Sequence, residues 1–394
     1  MKIPPEMRDE EILLTRLCRL DISEARLKKL AEVFPLVKDW GYFMSLANAH
    51  GVEALAYHNI EKLNLSGLIP TEVRTYLRNS MMKSLARNEF NSEIIHEALV
   101  LLNRENIKTV LLKGMALELS VFGNAGLRQM SDVDVLIAKE ECIKARNILV
   151  ANGFVSMPVK SALHKLIIGN LGKHLPSLIK DGASVEIHHR LFGIKNTELT
   201  RYFYDSSYES SLKGERAFIP QPQIFFLYLV RHLKMHEMNN ESQLRLYTDL
   251  VVLIDKYGES ILNSELLKYA SEAEMNEVLA SRLQILKEIW EISFSPEIDE
   301  FIAQWHDPLF IDRFIFFIKS PKGNLPADKA SNYNKILEEI PGFHRKVLYV
   351  TGDIFPSIRF MKNRYNCTTG WKAMLYYPHR LGKLLFIFKG KSTF

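Results

Sequence analysis

The chain has 394 residues, of which 47% are hydrophobic and 25% are charged, and its formal net charge is +5. This length predicts two or three domains, and this composition excludes collagen-like and intrinsically disordered proteins. The three cysteines, Cys18, Cys142 and Cys367, lie too far apart for a disulfide framework or a cysteine-ligated metal site, so we expect a reducing, cytoplasmic setting.

Charge and hydropathy vary along the chain. The first residues are charged rather than apolar, and no apolar run approaches the length of a membrane span, so we expect a soluble protein without a secretory leader. Residues 342–394 hold ten Lys and Arg against the single acid Asp353, a local net charge of +9. This basic stretch is the candidate surface for nucleic acid, lipid headgroups or a phosphorylated substrate; a solvated basic face is the alternative.

Helical periodicity dominates the first hundred residues. Apolar residues recur at three- and four-residue spacing between residues 8 and 65. A second helical pattern begins at Pro70 and Thr71 and runs to about Asn106 without Gly or Pro.

Strand and helix patterns alternate from residue 107 onward. The predicted elements are strands at 108–112, 133–137, 174–179 and 184–189 and helices at 115–121 and 140–152. Asp181-Gly182, between the last two strands, is a strong hairpin signal. Helical periodicity returns after Pro222.

These patterns predict an α+β fold, with a small mixed β-sheet core between helical N-terminal and C-terminal regions. The expected division is a helical region over 1–106, the core over 107–192, a helical domain over 193–320 and a basic region over 321–394.

Two aspartates at the start of the second predicted strand carry the first chemical signal. Side chains alternate along a strand, so Asp132 and Asp134 project from one face while Val133 and Val135 face the core. Adjacent carboxylates repel each other unless a cation lies between them, and hard oxygen ligands suit Mg²⁺ or Mn²⁺. Two acids on a solvated sheet edge are the alternative.

The surroundings of this pair add two features. Glu186, on the second strand of the hairpin, offers a third carboxylate from a neighbouring strand. Lys113-Gly114 lies between a strand and a helix, a geometry that lets a phosphate approach backbone N–H groups. Together these features are chemically sufficient for a two-metal, in-line displacement on a triphosphate.

The string LLKGMALELSVFG…GLRQMSDVDVLI…VEIHHRL resembles the nucleotidyltransferase superfamily of the DNA polymerase β type. Within it, the string is similar to an uncharacterised bacterial family with a KG…R…DxD…H pattern, and weaker similarity covers most of residues 39–255. The resemblance implies that Asp132 and Asp134 bind both metals, and that Glu186 helps to bind the catalytic metal and activates the acceptor. It also implies a nucleoside triphosphate (NTP) substrate, with ATP the expected nucleotide.

We expect further contacts to the nucleotide from Lys113, Gly114, Met115, Arg128 and Ser131. Met115 stands where the superfamily has Gly or Ser, so only its backbone can contact phosphate, and the gap from Gly114 to Asp132 exceeds that of the shortest members. Lys113 can meet a phosphate as a point charge. Arg128 can bind phosphate bidentately or pin its loop to a neighbouring carboxylate.

Five more residues are candidates for an acceptor or base pocket: His188, His232, His236, Arg245 and Asp249. His188 shares a strand face with Glu186, although packing is the simpler role. His232 and His236 lie four residues apart on one helix face, but no third zinc ligand is defined. Arg245 and Asp249 are most simply an ion pair on a helix surface, and the resemblance favours a pocket role.

The leading hypothesis is a metal-dependent nucleotidyltransferase that moves a nucleoside monophosphate from an NTP to a hydroxyl, phosphate or amine and releases pyrophosphate. A DxD glycosyltransferase is a rival, but its doubly wound domain needs βα units where this chain is helical. A non-catalytic, toxin–antitoxin-like nucleotide-binding module is the other rival. The acceptor stays open among a small molecule, a polysaccharide precursor, a protein and an RNA end.

Two physical expectations follow from the acids and from the basic stretch. Because the three acids would crowd one cation site, neutralising any of them should leave the metal-free fold no less stable. Changing Lys383, Lys389 and Lys391 to Gln should weaken acceptor or partner binding in a salt-sensitive way while leaving Mg²⁺-dependent NTP binding intact.

Overall fold

A seven-stranded mixed sheet between helical layers organises the chain. The computed structural model describes residues 6–163, 173–192, 197–238, 243–320, 333, 337–338, 340 and 342–389, with only the backbone for 383–389. Lys391 therefore lies outside the described residues, as do the side chains of Lys383 and Lys389. Within the described part of the chain, no helix combines the length and apolar character needed to cross a bilayer.

The N-terminal helices follow the predicted periodicity. They are α1 (Asp9–Leu17), α2 (Glu24–Val33), α3 (Trp40–His50), α4 (Glu53–Lys62) and α5 (Thr71–Arg104). Helix α5 starts directly after Pro70, whose extended backbone suits the residue before a helix. Its buried positions, among them Leu77, Ile95 and Leu99, pack against α4 and the sheet.

The sheet has the strand order β3-β4-β5-β2-β1-β7-β6. Its strands are β1 (Val110–Leu111), β2 (Val133–Leu136), β3 (Val155–Ser156), β4 (Leu178–Lys180), β5 (Ala183–His188), β6 (Tyr208–Leu212) and β7 (Glu215–Ile219). Strand β2 runs parallel to β5 and antiparallel to β1, whereas β1 runs parallel to β7. Helices α6 (Lys113–Leu117) and α7 (Cys142–Ala151) lie between the first strands of the sheet. The mixed sheet among helices confirms the α+β class.

The predicted hairpin is present, with a shorter first strand. Asp181 and Gly182 both have positive φ, at 49° and 95°, the conformation that a two-residue primed turn requires. Strand β4 begins at Leu178 rather than at 174, and His174 makes only an isolated bridge with His188.

A second hairpin, β6–β7, was not predicted, and neither was β3. The turn residues of the β6–β7 hairpin, Lys213 and Gly214, also have positive φ. Strand β7 pairs with β1 inside the sheet. The sheet therefore extends beyond residue 192, where we expected the core to end. The division of the chain into four regions stays a prediction.

Helices form most of the remaining described chain. They are α8 (Thr197–Asp205), α9 (Pro222–Met238), α10 (Leu244–Tyr257), α11 (Ser264–Glu272), α12 (Asn276–Ile289), α13 (Pro296–Gln304), α14 (Phe310–Lys319), α15 (Phe343–Ile354), α16 (Ile358–Arg364), α17 (Gly370–Met374) and α18 (Tyr376–Lys389). Helices α9 and α10 pack against each other, and both carry side chains that reach the candidate site.

Candidate functional site

The site is centred on one polar face of the two adjacent parallel strands β2 and β5. Asp134 lies directly opposite Glu186 in the strand register, and His188 follows two residues later on the same face. The alternate residues Val133 and Val185 point into the core, where each is 1% exposed. The apolar face thus fixes the register that brings the polar side chains together.

Asp134 is the most heavily contacted of these residues. Its Oδ1 accepts from the Lys113 ammonium at 2.8 Å and lies 2.7 Å from His188 Nε2. Glu186 Oε2 lies 3.7 Å from the same His188 nitrogen, and Glu186 Oε1 accepts from the Ser177 hydroxyl at 2.9 Å. The carboxylates are thus bridged by the imidazole and flanked by an ammonium.

These contacts shift the pKa values of the group. Burial alone would raise the pKa of Asp134, but the Lys113 ammonium and the His188 hydrogen bond hold it well below its usual range. Burial would lower the pKa of both Lys113 and His188, yet the Asp134 carboxylate raises them. The nearby His188 imidazole lowers the pKa of Glu186 in spite of burial. The site therefore holds ionised acids balanced by internal cations.

Asp134, Glu186 and His188 could also hold a metal ion, and we refer to them as the Asp–Glu–His cluster. One ligand atom from each lies within 4.8 Å of the others. Two carboxylates and an imidazole fit a single divalent cation: the oxygens suit Mg²⁺ or Mn²⁺, and the nitrogen favours the transition metal of the two.

Asp132 lies beside the cluster rather than within it. It is partly exposed, and its Oδ1 accepts from the Ser131 hydroxyl at 2.7 Å. Its charge still acts on the surrounding cations, because it contributes to raising the pKa of both Lys113 and Arg128. A shared set of metals between Asp132 and Asp134 stays a prediction.

Gly114 is required for packing. A Cβ atom at this position would overlap Arg128 Nη1 and lie 2.5 Å from Met130 Cγ and Sδ. The space above Gly114 is therefore filled by protein rather than left open for phosphate. The preceding Lys113 has φ +44°, unusual for a residue with a side chain, and Met115 is 1% exposed in the core. Phosphate contact by this backbone stays a prediction.

Arg128 plays the second of its two predicted roles. Its Nε and Nη2 each donate to Asp249 at 2.7 Å, a buried bidentate pair that pins the loop before β2 to α10. The predicted ion pair between Arg245 and Asp249 does not form, because Asp249 pairs with Arg128. Arg245 instead donates to Gln129 O and to Gln243 Oε1. Burial and the neighbouring Arg128 lower the pKa of Arg245 to about 10.

Helix α9 contributes one phenol ring and two imidazole rings beside the site. His232 stacks on Tyr228 at 6.4 Å between ring centroids and meets His236 edge-on at 4.4 Å. Burial, followed by the charge of Lys113, holds the pKa of His232 well below its usual range. Burial raises the pKa of Tyr228, and Asp134 adds to this rise. Both rings therefore border the charged residues.

Three residues of the site were not predicted: His174, Ser177 and Tyr228. The hairpin register could have indicated Ser177, because continuing from Leu178 opposite Val185 places it opposite Glu186. His174 Nε2 lies 3.8 Å from Glu186 Oε2, although its neighbourhood departs from the regular ladder. Nothing in the local sequence marks Tyr228, which reads as a core position of α9.

A cavity of about 760 Å³ lies on the other side of α9 and α10. Its lining residues Lys234 and Glu237 lie on the face of α9 opposite His232, and Tyr247 lies on the face of α10 opposite Asp249. None of the acids described above lines it. The two helices thus form a wall between the charged site and this cavity.

A family model described as uncharacterised nucleotidyltransferase matches residues 37–291, which include every residue of the site. The chain belongs to this family. Membership supports a nucleotidyltransferase activity in general; the polymerase β-type superfamily and the KG…R…DxD pattern stay predictions.

Comparison with individual proteins adds little. The chain is similar to the solved structure of an antigenic nucleotidyltransferase-like protein from Paracoccidioides brasiliensis, with 15% identity over 56% of this chain and 93% of that one. The TM-score is 0.31, so nothing about this nucleotidyltransferase-family chain follows from that likeness. No curated protein matches the chain.

Proposed function

We propose that the protein is a divalent-metal-dependent nucleotidyltransferase that transfers a nucleoside monophosphate from an NTP to an acceptor and releases pyrophosphate. The observation that carries the proposal is the Asp–Glu–His cluster on the polar face of β2 and β5 in a chain of this family. A divalent cation bound there would neutralise the triphosphate and polarise the reacting phosphate.

Individual side chains would bind the cation and the triphosphate. Asp134, Glu186 and His188 would bind the cation, with Ser177 orienting the Glu186 carboxylate. Lys113 and Arg245 would supply fixed positive charge to the triphosphate. Asp132 would complete the metal site when substrate is present.

The proposed reaction is an in-line displacement. The acceptor oxygen or nitrogen bonds to the α-phosphorus, and the bond from that phosphorus to the bridging oxygen of the β-phosphate breaks. Pyrophosphate leaves with the bridging oxygen, and the acceptor proton passes to the carboxylate of Glu186. ATP is the first nucleotide to test, and the acceptor is a hydroxyl, phosphate or amine.

Melting curves and pyrophosphate release test this proposal together. A ligand that binds only the folded state raises the melting temperature, so the wild type should gain stability with an NTP plus Mg²⁺ or Mn²⁺. Asp132→Asn should reduce that gain. Glu186→Gln should keep most of it while slowing pyrophosphate release by at least about a hundredfold in the presence of cell-extract acceptors.

Glu209→Gln is the matched control, because Glu209 is an exposed acid on edge strand β6 of the same sheet. It should behave as the wild type. A wild type that gains no stability from any NTP with metal contradicts the proposal. A gain with UDP-sugars alone indicates the glycosyltransferase, and NTP binding without pyrophosphate release indicates a binding module.

A further inference from the structure

Residues 342–382 expose an unusual amount of apolar side chain. The residues concerned are at least 38% exposed each: Phe343, Val347, Phe355, Ile358, Trp371, Met374, Leu375, Tyr376 and Leu381. This segment lies outside residues 37–291, which match the nucleotidyltransferase family. The exposed apolar side chains of this segment are therefore not explained by the transfer chemistry.

Part of this surface is one contiguous patch, which we call the aromatic patch: Ile358, Trp371, Met374 and Leu375. The last three are spaced i, i+3, i+4, so they share one side of the helical turns at α17. Ile358 packs beside the start of α17, because a Cβ on Gly370 would lie 3.4 Å from its Cγ2. Contiguous apolar patches of this kind mark interaction sites.

The charge around the patch has one sign. Arg359, Arg364 and Lys372 are exposed within the same segment. The only acid from residue 342 to the C-terminus is Asp353, which is 1% exposed and contacts Lys160. The exposed part of residues 342–382 therefore presents cations and apolar side chains with no carboxylate.

We propose that residues 342–382 dock the protein on the surface of a bilayer that contains anionic phospholipids. Apolar side chains would enter the boundary between headgroups and acyl chains, while Lys and Arg would meet lipid phosphates. Trp371 suits this boundary because indole is apolar with one polar edge. Docking at the surface is also consistent with described helices that are too short or too polar to cross a membrane.

Charge and side-chain type select this partner over others. A second copy of the chain would bring two basic surfaces together with no acid to pair them, which is repulsive. Nucleic acid would satisfy the cations but gains little from aliphatic side chains such as Ile358, Met374 and Leu375. An anionic membrane surface would interact with both the cations and the apolar side chains.

Vesicle binding by the full chain tests the proposal. The chain should co-sediment with vesicles of phosphatidylcholine mixed with phosphatidylglycerol, but not with pure phosphatidylcholine, and added NaCl should weaken the binding. Trp371 is the one exposed tryptophan of the four, so its fluorescence should shift to the blue on binding. Trp371→Phe should remove that shift.

The double variant Trp371→Ser, Leu375→Ser should weaken vesicle binding at least about tenfold, because it removes two inserted side chains. The double variant Arg359→Glu, Lys372→Glu should weaken it through charge alone. The control is Leu36→Ser, Ile143→Ser, which changes two side chains that are 50% and 57% exposed elsewhere and should leave binding intact.

Three results would overturn the proposal. The first is equal binding to both kinds of vesicle, or binding to neither. The second is equally tight binding of duplex RNA or DNA by the wild type and the Ser double variant, with no vesicle binding. The third is a dimer in analytical ultracentrifugation that the Ser double variant converts to monomer.

Discussion

Lys113 gives the metal-free site its own counter-ion. Its ammonium, 17% exposed, lies 2.8 Å from an Asp134 oxygen that is itself buried, and His188 contacts the same oxygen. We expected three mutually repelling acids, whose neutralisation would cost no stability. The ion pair argues against that expectation for Asp134, because removing the Asp134 charge leaves a largely buried ammonium without its counter-ion.

The three acids should therefore differ in EDTA. Asp134→Asn should lower the free energy of unfolding by about 3 kcal/mol, since one member of a buried ion pair is lost. Glu186→Gln should cost about 1 kcal/mol, since its hydrogen bond from Ser177 and its charge interaction with His188 weaken. Asp132→Asn should stay within about 0.5 kcal/mol of wild type, because Asp132 is partly exposed. Urea unfolding with Glu209→Gln as control measures this order, and equal stability of all three variants would refute it.

Some of these site residues could be predicted from the sequence and others could not, for a physical reason. Period-two alternation places Asp134 on the polar face of its strand, and the hairpin signal places Glu186 on a strand, because both rules are local. That these two strands lie side by side is a long-range pairing. The partner of Arg128 is Asp249, and the partner of Lys113 is Asp134. Both depend on packing between distant segments, which no local pattern encodes.

At the scale of elements, His50 joins three helices. It ends α3, its Nε2 donates to Ile318 O in α14 at 3.0 Å, and its Nδ1 accepts from Leu244 N at the start of α10 at 3.0 Å. This pattern requires the neutral ring with its proton on Nε2. The side chain is fully buried, so the junction depends on a histidine that stays uncharged.

The His50 junction predicts a pH dependence. Burial lowers the pKa of His50 to about 4, whereas the unfolded chain titrates near its ordinary value of about 6.5. Below pH 6.5 the unfolded state binds a proton that the folded state does not, so this stability is full above pH 6.5 and is lost as the pH falls toward 4.

His50→Gln keeps a donor and an acceptor but removes this titration. The loss of stability between pH 7 and pH 4.5, measured by urea unfolding, should be about 2 kcal/mol smaller in the variant than in wild type. The difference between the two proteins is the quantity to compare, because burial also lowers the pKa of His189 and His232. His344→Gln, at an exposed position, should match wild type, and an unchanged slope in His50→Gln would contradict the prediction.

The strands that sequence analysis missed show no local period. Strand β3 has two residues, too few for any period to be visible. Strands β6 (YESSL) and β7 (ERAFI) show no alternation of polar and apolar residues, and they flank a Lys-Gly turn rather than the Asn-Gly or Asp-Gly that marks a hairpin. The long helices and the buried strands β2 and β5 were predicted because their periodicity is sustained or strongly apolar.

At the scale of the whole molecule, the C-terminal helices α15–α18 are attached at a defined point. Asp353 forms a buried ion pair with Lys160, in the segment after β3. Ser357 N donates to Lys160 O at 2.7 Å, and its hydroxyl contacts Val159 O at 3.4 Å. This attachment orients the aromatic patch relative to the sheet.

Asp353→Ala should loosen this attachment without unfolding the rest. We expect faster hydrogen–deuterium exchange over residues 343–382, with unchanged protection in α9 and α10. Glu105→Ala is the control, because it removes an exposed ion pair with Lys144 and should change neither region. A uniform increase in exchange across the chain would show that this contact stabilises the whole fold instead.

The order of strands also constrains how the chain can be assembled during synthesis. Strand β1, at residues 110–111, sits in the middle of the sheet, but its neighbour β7 is made only when the ribosome reaches residues 215–219. Until then β1 has only β2 beside it, and its other edge is unpaired. A nascent chain that stops before this point leaves that edge open to pairing with other chains, so truncations between residues 192 and 215 should be the ones that aggregate.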